Sequence, residues 1–199
     1  MRRLWVVLVV AVLAGCAGRP EPAPAPSVAQ LPAGKSDLTL EPGFYRSPQG
    51  FTPVLTFPVP PGWRSSHRGP DGFDLSQPDP SRDVPLVAIV VVTPGAPSAD
   101  AALADVRSRA NGQVQPVEAA IAGGSIVSGY DIQGGTGTLF TSAQSSISMD
   151  AAAGQRIQVF GANLGGKPIL LAVLVTDANR WDELRTQAGV LLTSIQVTS

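Results

Sequence analysis

The stretch Gly161-Ala162-Asn163-Leu164-Gly165-Gly166-Lys167 comes within one residue of the pattern by which glycine-rich loops cradle nucleotide phosphates. Where that pattern needs a Ser or Thr hydroxyl for Mg²⁺, this chain has Pro168. The residues that follow, from Ile169 on, have the apolar character of a strand, not of the helix whose N-terminus would hold phosphate. These glycines predict a turn between strands, and no nucleotide is expected. His67 is the single histidine and Cys16 the single cysteine, so the usual zinc ligand sets cannot be assembled. A Ser-His-Asp device built on His67 would need a nucleophile, and no Gly-x-Ser-x-Gly elbow occurs. Asp71, Asp74, Asp79 and Asp83 fall close together in a turn-rich stretch, but not at the spacing of a calcium-binding helix-loop-helix. Solvated turn aspartates are the expectation. Asp182 and Glu183 are adjacent on a predicted helix and point in different directions, which is poor geometry for paired acid–base work. Gly134-Gly135-Thr136-Gly137 lacks the strand–helix context of a dinucleotide site. Trp63, where core packing is favoured over ligand contact, and His67, read foremost as an exposed hairpin histidine, remain as candidate surface or pocket residues, while Trp181 falls on the apolar stripe of a helix. No catalytic residue, metal or cofactor is expected, and the chain reads as a non-enzyme.

The cysteine has a more specific context. Met1-Arg2-Arg3 is a short positive segment, and Leu4 to Leu13 is an unbroken apolar run of signal-peptide length, too short to span a bilayer. Leu13-Ala14-Gly15-Cys16 resembles the lipobox of bacterial lipoproteins. That resemblance implies cleavage after Gly15, with residues 1–15 removed as a signal peptide. It also implies attachment of diacylglyceryl and fatty acyl groups, palmitate among them, at Cys16. The chain would then be held on the outer face of the cell membrane.

The elements that must carry these residues follow from composition and periodicity. With 44% hydrophobic residues the chain can bury a core, and 21 glycines with 19 prolines imply many turns. Without Arg2 and Arg3 the chain keeps 12 basic and 15 acidic side chains, a net charge of −3 that offers nothing to nucleic acid. Residues 16–36 carry proline at positions 20, 22, 24 and 26, the signature of an extended, semi-rigid spacer. Residues 37–199 are then expected to form one domain. Strands are predicted at 52–59, 84–93, 114–121, 125–133, 138–142, 147–149, 155–162 and 169–176. Turns are predicted at Pro60–Trp63, Gly69–Gly72 and Gly123-Gly124. Helices are predicted after a Ser98 cap and from Asp177 to Leu192, each with one apolar stripe. Consecutive hairpins with only two helices predict an α+β domain, an antiparallel sheet covered by amphipathic helices.

Phe51 to Trp63, a strand running into Pro-Gly-Trp, resembles the PsbP-like architecture, and within it the LpqN-type lipoproteins of actinobacteria. The closing order of strand, helix and short strand, Ile169 to Val197, resembles it as well. The resemblance implies an accessory or binding module of the cell envelope that engages a partner protein, and it transfers no site residues. A carrier of a small apolar or lipid ligand is the alternative, with a cavity between sheet and helices. The small side chains of the first helix, Ala99, Ala101, Ala102 and Ala104, favour close packing over such a cavity.

Overall fold

The computed structural model describes residues 27–198, apart from 83 and 122. In chain order the strands are Val28–Gln30 (β1), Leu38–Thr39 (β2), Gly43–Arg46 (β3), Leu55–Val59 (β4), Arg64–Ser65 (β5), Arg68–Gly69 (β6), Gly72–Pro78 (β7) and Pro85–Val92 (β8). Helix α1 (Ala99–Arg109) follows, then Gln113–Ile121 (β9), Ser125–Gln133 (β10), Gly137–Ser142 (β11), Ile147–Ala151 (β12), Arg156–Leu164 (β13) and Lys167–Val175 (β14). A 3₁₀ turn at Ala178–Arg180, helix α2 (Trp181–Ser194) and Gln196–Val197 (β15) close the chain.

The centre is a nine-stranded antiparallel sheet in the order β2-β5-β7-β8-β14-β13-β10-β9, with β6 joined to β7. Its middle strands are apolar on both faces, as β8 (PLVAIVVV) shows, so each face must be covered. On one face Val87, Ile89 and Val91 of β8 and Leu171 and Val173 of β14 pack against α2 and a second, four-stranded sheet, β1-β3-β4-β15. On the other, Val90, Val92, Leu170 and Ala172 pack against α1 and the β11–β12 hairpin. Phe73 anchors the first core, stacked on Phe57 with ring centroids 5.1 Å apart and edge-on to Phe51 at 5.3 Å.

This architecture corrects the expected fold class. Strands make up 49% of the described residues and helices 16%, so the protein is mostly β and not an α+β sheet covered by two helices. Each helix covers only part of its face, and β-structure covers the rest. The reason lies in segments without a readable local pattern. Val28–Gln30 sits among prolines and pairs in parallel with β3, a contact that only the folded chain supplies. The chain thus joins the fold at Val28, inside the stretch read as spacer, and Leu31 is fully buried.

The local signals held where they were local. Ser98 caps α1, its side chain accepting from Ala101 N at 3.1 Å. Trp181, Leu184, Ala188, Leu191 and Leu192 form the buried stripe of α2. Asp177 caps the 3₁₀ turn rather than α2 itself, because its oxygen accepts from Asn179 N. Gly62 has φ +79, as a type II turn before Trp63 requires.

Candidate functional site

The nucleotide-like stretch is a hairpin. Asn163, Leu164, Lys167 and Pro168 are paired strand residues, and Gly165 and Gly166 form the two-residue turn with φ of +54 and +74. Gly134–Thr136 is an irregular link between β10 and β11, held where Asn111 Oδ1 accepts from Thr136 N at 2.7 Å. Asp182 pairs with Arg185 and Glu183 with Arg180, two separate surface pairs on successive residues of α2.

The aspartates of the turn-rich stretch each do a different local job. Asp71 sits in the β6–β7 turn and reaches the β11–β12 turn, accepting from Gln144 N at 2.9 Å, Ser145 N at 2.7 Å and the Ser145 hydroxyl. Burial alone would raise its carboxyl, but the hydrogen bonds from Ser145 and Gln144 outweigh that and hold it below the ordinary carboxylate value. Asp74 accepts from the consecutive backbone N–H groups of Ser66 and His67, fixing the bend between β5 and β6. Burial pushes its carboxyl above the ordinary value, against the pull of those N–H groups. Asp79 closes its own turn through Ser81, and the Ser81 bonds lower its carboxyl. Asp83 lies outside the described residues. The carboxylates do not converge: among the described residues no group of three or more His, Cys, Asp or Glu is placed to hold a metal.

His67 does line a recess of about 360 Å³, where the β11–β12 hairpin stops short and leaves part of the central sheet uncovered. Asp74, Ser148 and Asp150 share its walls, and Ala88, Val90 and Leu174 its floor. The His67 Nδ1 to Asp74 Oδ1 distance is 4.0 Å, too long for the hydrogen bond of a proton relay. Trp63, the other expected surface or pocket residue, is 2% exposed and belongs to the core beneath the four-stranded sheet. A second hollow, about 390 Å³, lies between α2 and the far strands of the central sheet, lined chiefly by Ala119, Phe160, Val173, Trp181, Ala188 and Leu192.

Two polar arrangements were not legible in the sequence. Arg68 is buried, and its guanidinium donates to three backbone carbonyls: Pro32 at 2.8 Å, Ser36 at 2.9 Å, and Ser65. It staples residues 32–36 to the domain. Nothing local marks it, since Arg68 stands beside a turn where an exposed arginine is the default. Asp131, also buried, takes a two-pronged bond from Arg156 at 2.9 Å and a bond from Gln158, while the Arg156 guanidinium lies 4.5 Å above the Trp181 ring. This network joins β10, β13 and α2. Its only sequence trace is a carboxylate and an arginine at the ends of neighbouring strands.

No family model matches the chain, and no curated protein does. Cys16 and the lipobox residues Leu13, Ala14 and Gly15 lie outside the described residues. Among the described residues no helix is long and apolar enough to cross a membrane.

Proposed function

We propose that the protein is a lipid-anchored, extracytoplasmic binding module, non-catalytic, tethered to the outer face of a bacterial cell membrane through Cys16. Its work is to present a surface to another protein of the envelope. One observation carries this reading: the ordered run of Arg2-Arg3, the apolar stretch to Leu13, the Leu13–Cys16 site and the alternating prolines, leading within a few residues to the first strand at Val28. Several acyl chains on one residue give stable anchoring, because each buried methylene contributes about 0.8 kcal/mol. The proline spacer then sets the distance at which the domain is displayed. The PsbP-like resemblance supports the same role.

The polar side chains that could have done chemistry support a binding role over a catalytic one. Asp71, Asp74 and Arg68 are committed to backbone groups that hold the fold together. Membrane fractionation of the native host tests the tether, with wild type and Cys16→Ala compared, followed by crosslinking in intact cells. The proposal expects the wild type in the membrane fraction with a crosslinked envelope partner, and the variant released. Equal release of both forms would overturn it.

The apolar hollow beneath α2 favours a second reading, carriage of a small apolar ligand. Its volume of about 390 Å³ lies in the range of small-molecule sites. Saturable displacement of a fluorescent acyl probe, abolished by Ala188→Phe, would select that reading. No saturable binding would dismiss it.

A further inference from the structure

The large apolar side chains left in contact with solvent are unevenly placed. Among the described residues, Val84, Ile126 and Val190 are scattered elsewhere, whereas Val28, Phe44, Val54 and Val197, each 41–43% exposed, lie in or beside the four-stranded sheet, Val197 on the side of Leu55 and the others away from it. Strand register makes three of the sheet's apolar residues neighbours. Val28 stands opposite Phe44, and Phe44 opposite Pro58, so three strands contribute to one cross-strand row. Leu55, Phe57 and Val59 point into the core, so the alternate residues of β4, Pro58 among them, face outward and carry the row with them. Arg46, two residues beyond Phe44 and exposed, shares that outward face.

Val28 is also where the chain coming from Cys16 enters the fold. Residues 17–27 intervene, and even at a fully extended length of roughly 3.6 Å per residue they keep Val28 within about 43 Å of the anchored cysteine. We propose that the outer face of the four-stranded sheet rests on the lipid surface, with Phe44 and Val28 among the headgroups and Arg46 over lipid phosphates. The inference rests on the lipid anchor proposed above and adds an orientation to it. A row this small would not bind a membrane from solution. Tethering turns the contact into an intramolecular one at high effective concentration, which lets weak apolar and cationic contacts suffice. General attraction is not the cause, because the net charge of −3 left after Cys16 is exposed opposes an anionic surface. The contact belongs to this face alone.

Once Cys16 is acylated its thiol is blocked, so Phe44→Cys supplies a single site for a nitroxide label. The acylated protein, purified from its host, is placed in vesicles of phosphatidylcholine and phosphatidylglycerol. Ile126→Cys serves as the control, because Ile126 is 67% exposed on β10, which belongs to the other sheet. The expected result is that the label at 44 becomes at least about threefold less accessible to a water-soluble nickel chelate than the label at 126, while staying open to oxygen. Equal accessibility of both labels on floated vesicles would put this face in water and overturn the orientation, leaving the anchor intact. Protection of position 44 from both reagents would mark a contact with a second copy of the chain and would also overturn it. Failure of the protein to float with the vesicles would remove the anchor itself, and the orientation with it.

Discussion

At the scale of single residues, Asp71, Asp74 and Arg68 turn their charge on backbone groups. Asp71 bridges two turns, and its hydrogen bonds lower its carboxyl despite burial. A group with a depressed folded-state pKa stabilises the fold above its unfolded value and loses that contribution as pH falls through the folded value. Wild type should therefore lose stability below about pH 4 with a component that Asp71→Asn lacks. Urea midpoints measured between pH 5 and pH 2 check this, and parallel curves for the two proteins would refute it. Asp74, raised by burial, has the opposite sign: its ionisation opposes folding as pH rises from the ordinary carboxylate value through the raised one. Arg68 makes a different prediction. Replacing it with Met leaves the carbonyls of Pro32, Ser36 and Ser65 without their donor and should cost roughly 3 kcal/mol. It should also free residues 32–36, so that trypsin cuts after Lys35 in Arg68→Met while sparing wild type. Unchanged resistance would mean that the staple is dispensable.

At the scale of elements, the contacts that decide packing are often made by glycines. At Gly129, opposite Phe160 where β10 pairs with β13, a Cβ would lie 2.3 Å from the Val159 carbonyl oxygen and 2.6 Å from the Phe160 ring. Neither neighbour can yield without moving backbone or a buried aromatic, so Gly129→Ala should destabilise by about 2–3 kcal/mol. A loss below about 0.5 kcal/mol in chemical denaturation would contradict the packing described for these two strands. Elements made by near neighbours in sequence were readable in advance. The Ser98 cap, the α2 stripe from Trp181 to Leu192, the glycine turns at 123–124 and 165–166, and the all-apolar β8 each carry a short-range signal. What could not be read is what pairs at long range. Val28–Gln30 lacks any strand signature until β3 lies beside it, and the pairing of nine strands into one antiparallel sheet, which makes the molecule mostly β, is likewise settled only by long-range partners. The same limit hid Arg68 and the Asp131–Arg156–Trp181 network, whose partners come together only in the folded chain. Trp63, where core packing is favoured over ligand contact, lies buried beneath the four-stranded sheet.

At the scale of the whole molecule, a strand-rich body packed on both faces of its central sheet except at the His67 recess follows a proline-rich segment and a single cysteine in a lipobox-like context. The first strand, the exposed apolar row and the entry of the spacer all meet at Val28, so the proposed anchor and the proposed orientation concern one end of the domain. This account depends on Cys16 carrying acyl groups. The most direct test is the intact mass of the protein made in its native host beside a Cys16→Ala variant. The account predicts that the wild-type chain begins at Cys16 and carries the added mass of a diacylglyceryl group, and that the variant carries none. A wild-type mass equal to that of the bare polypeptide, with a free Cys16 thiol, would contradict it and leave the domain freely secreted.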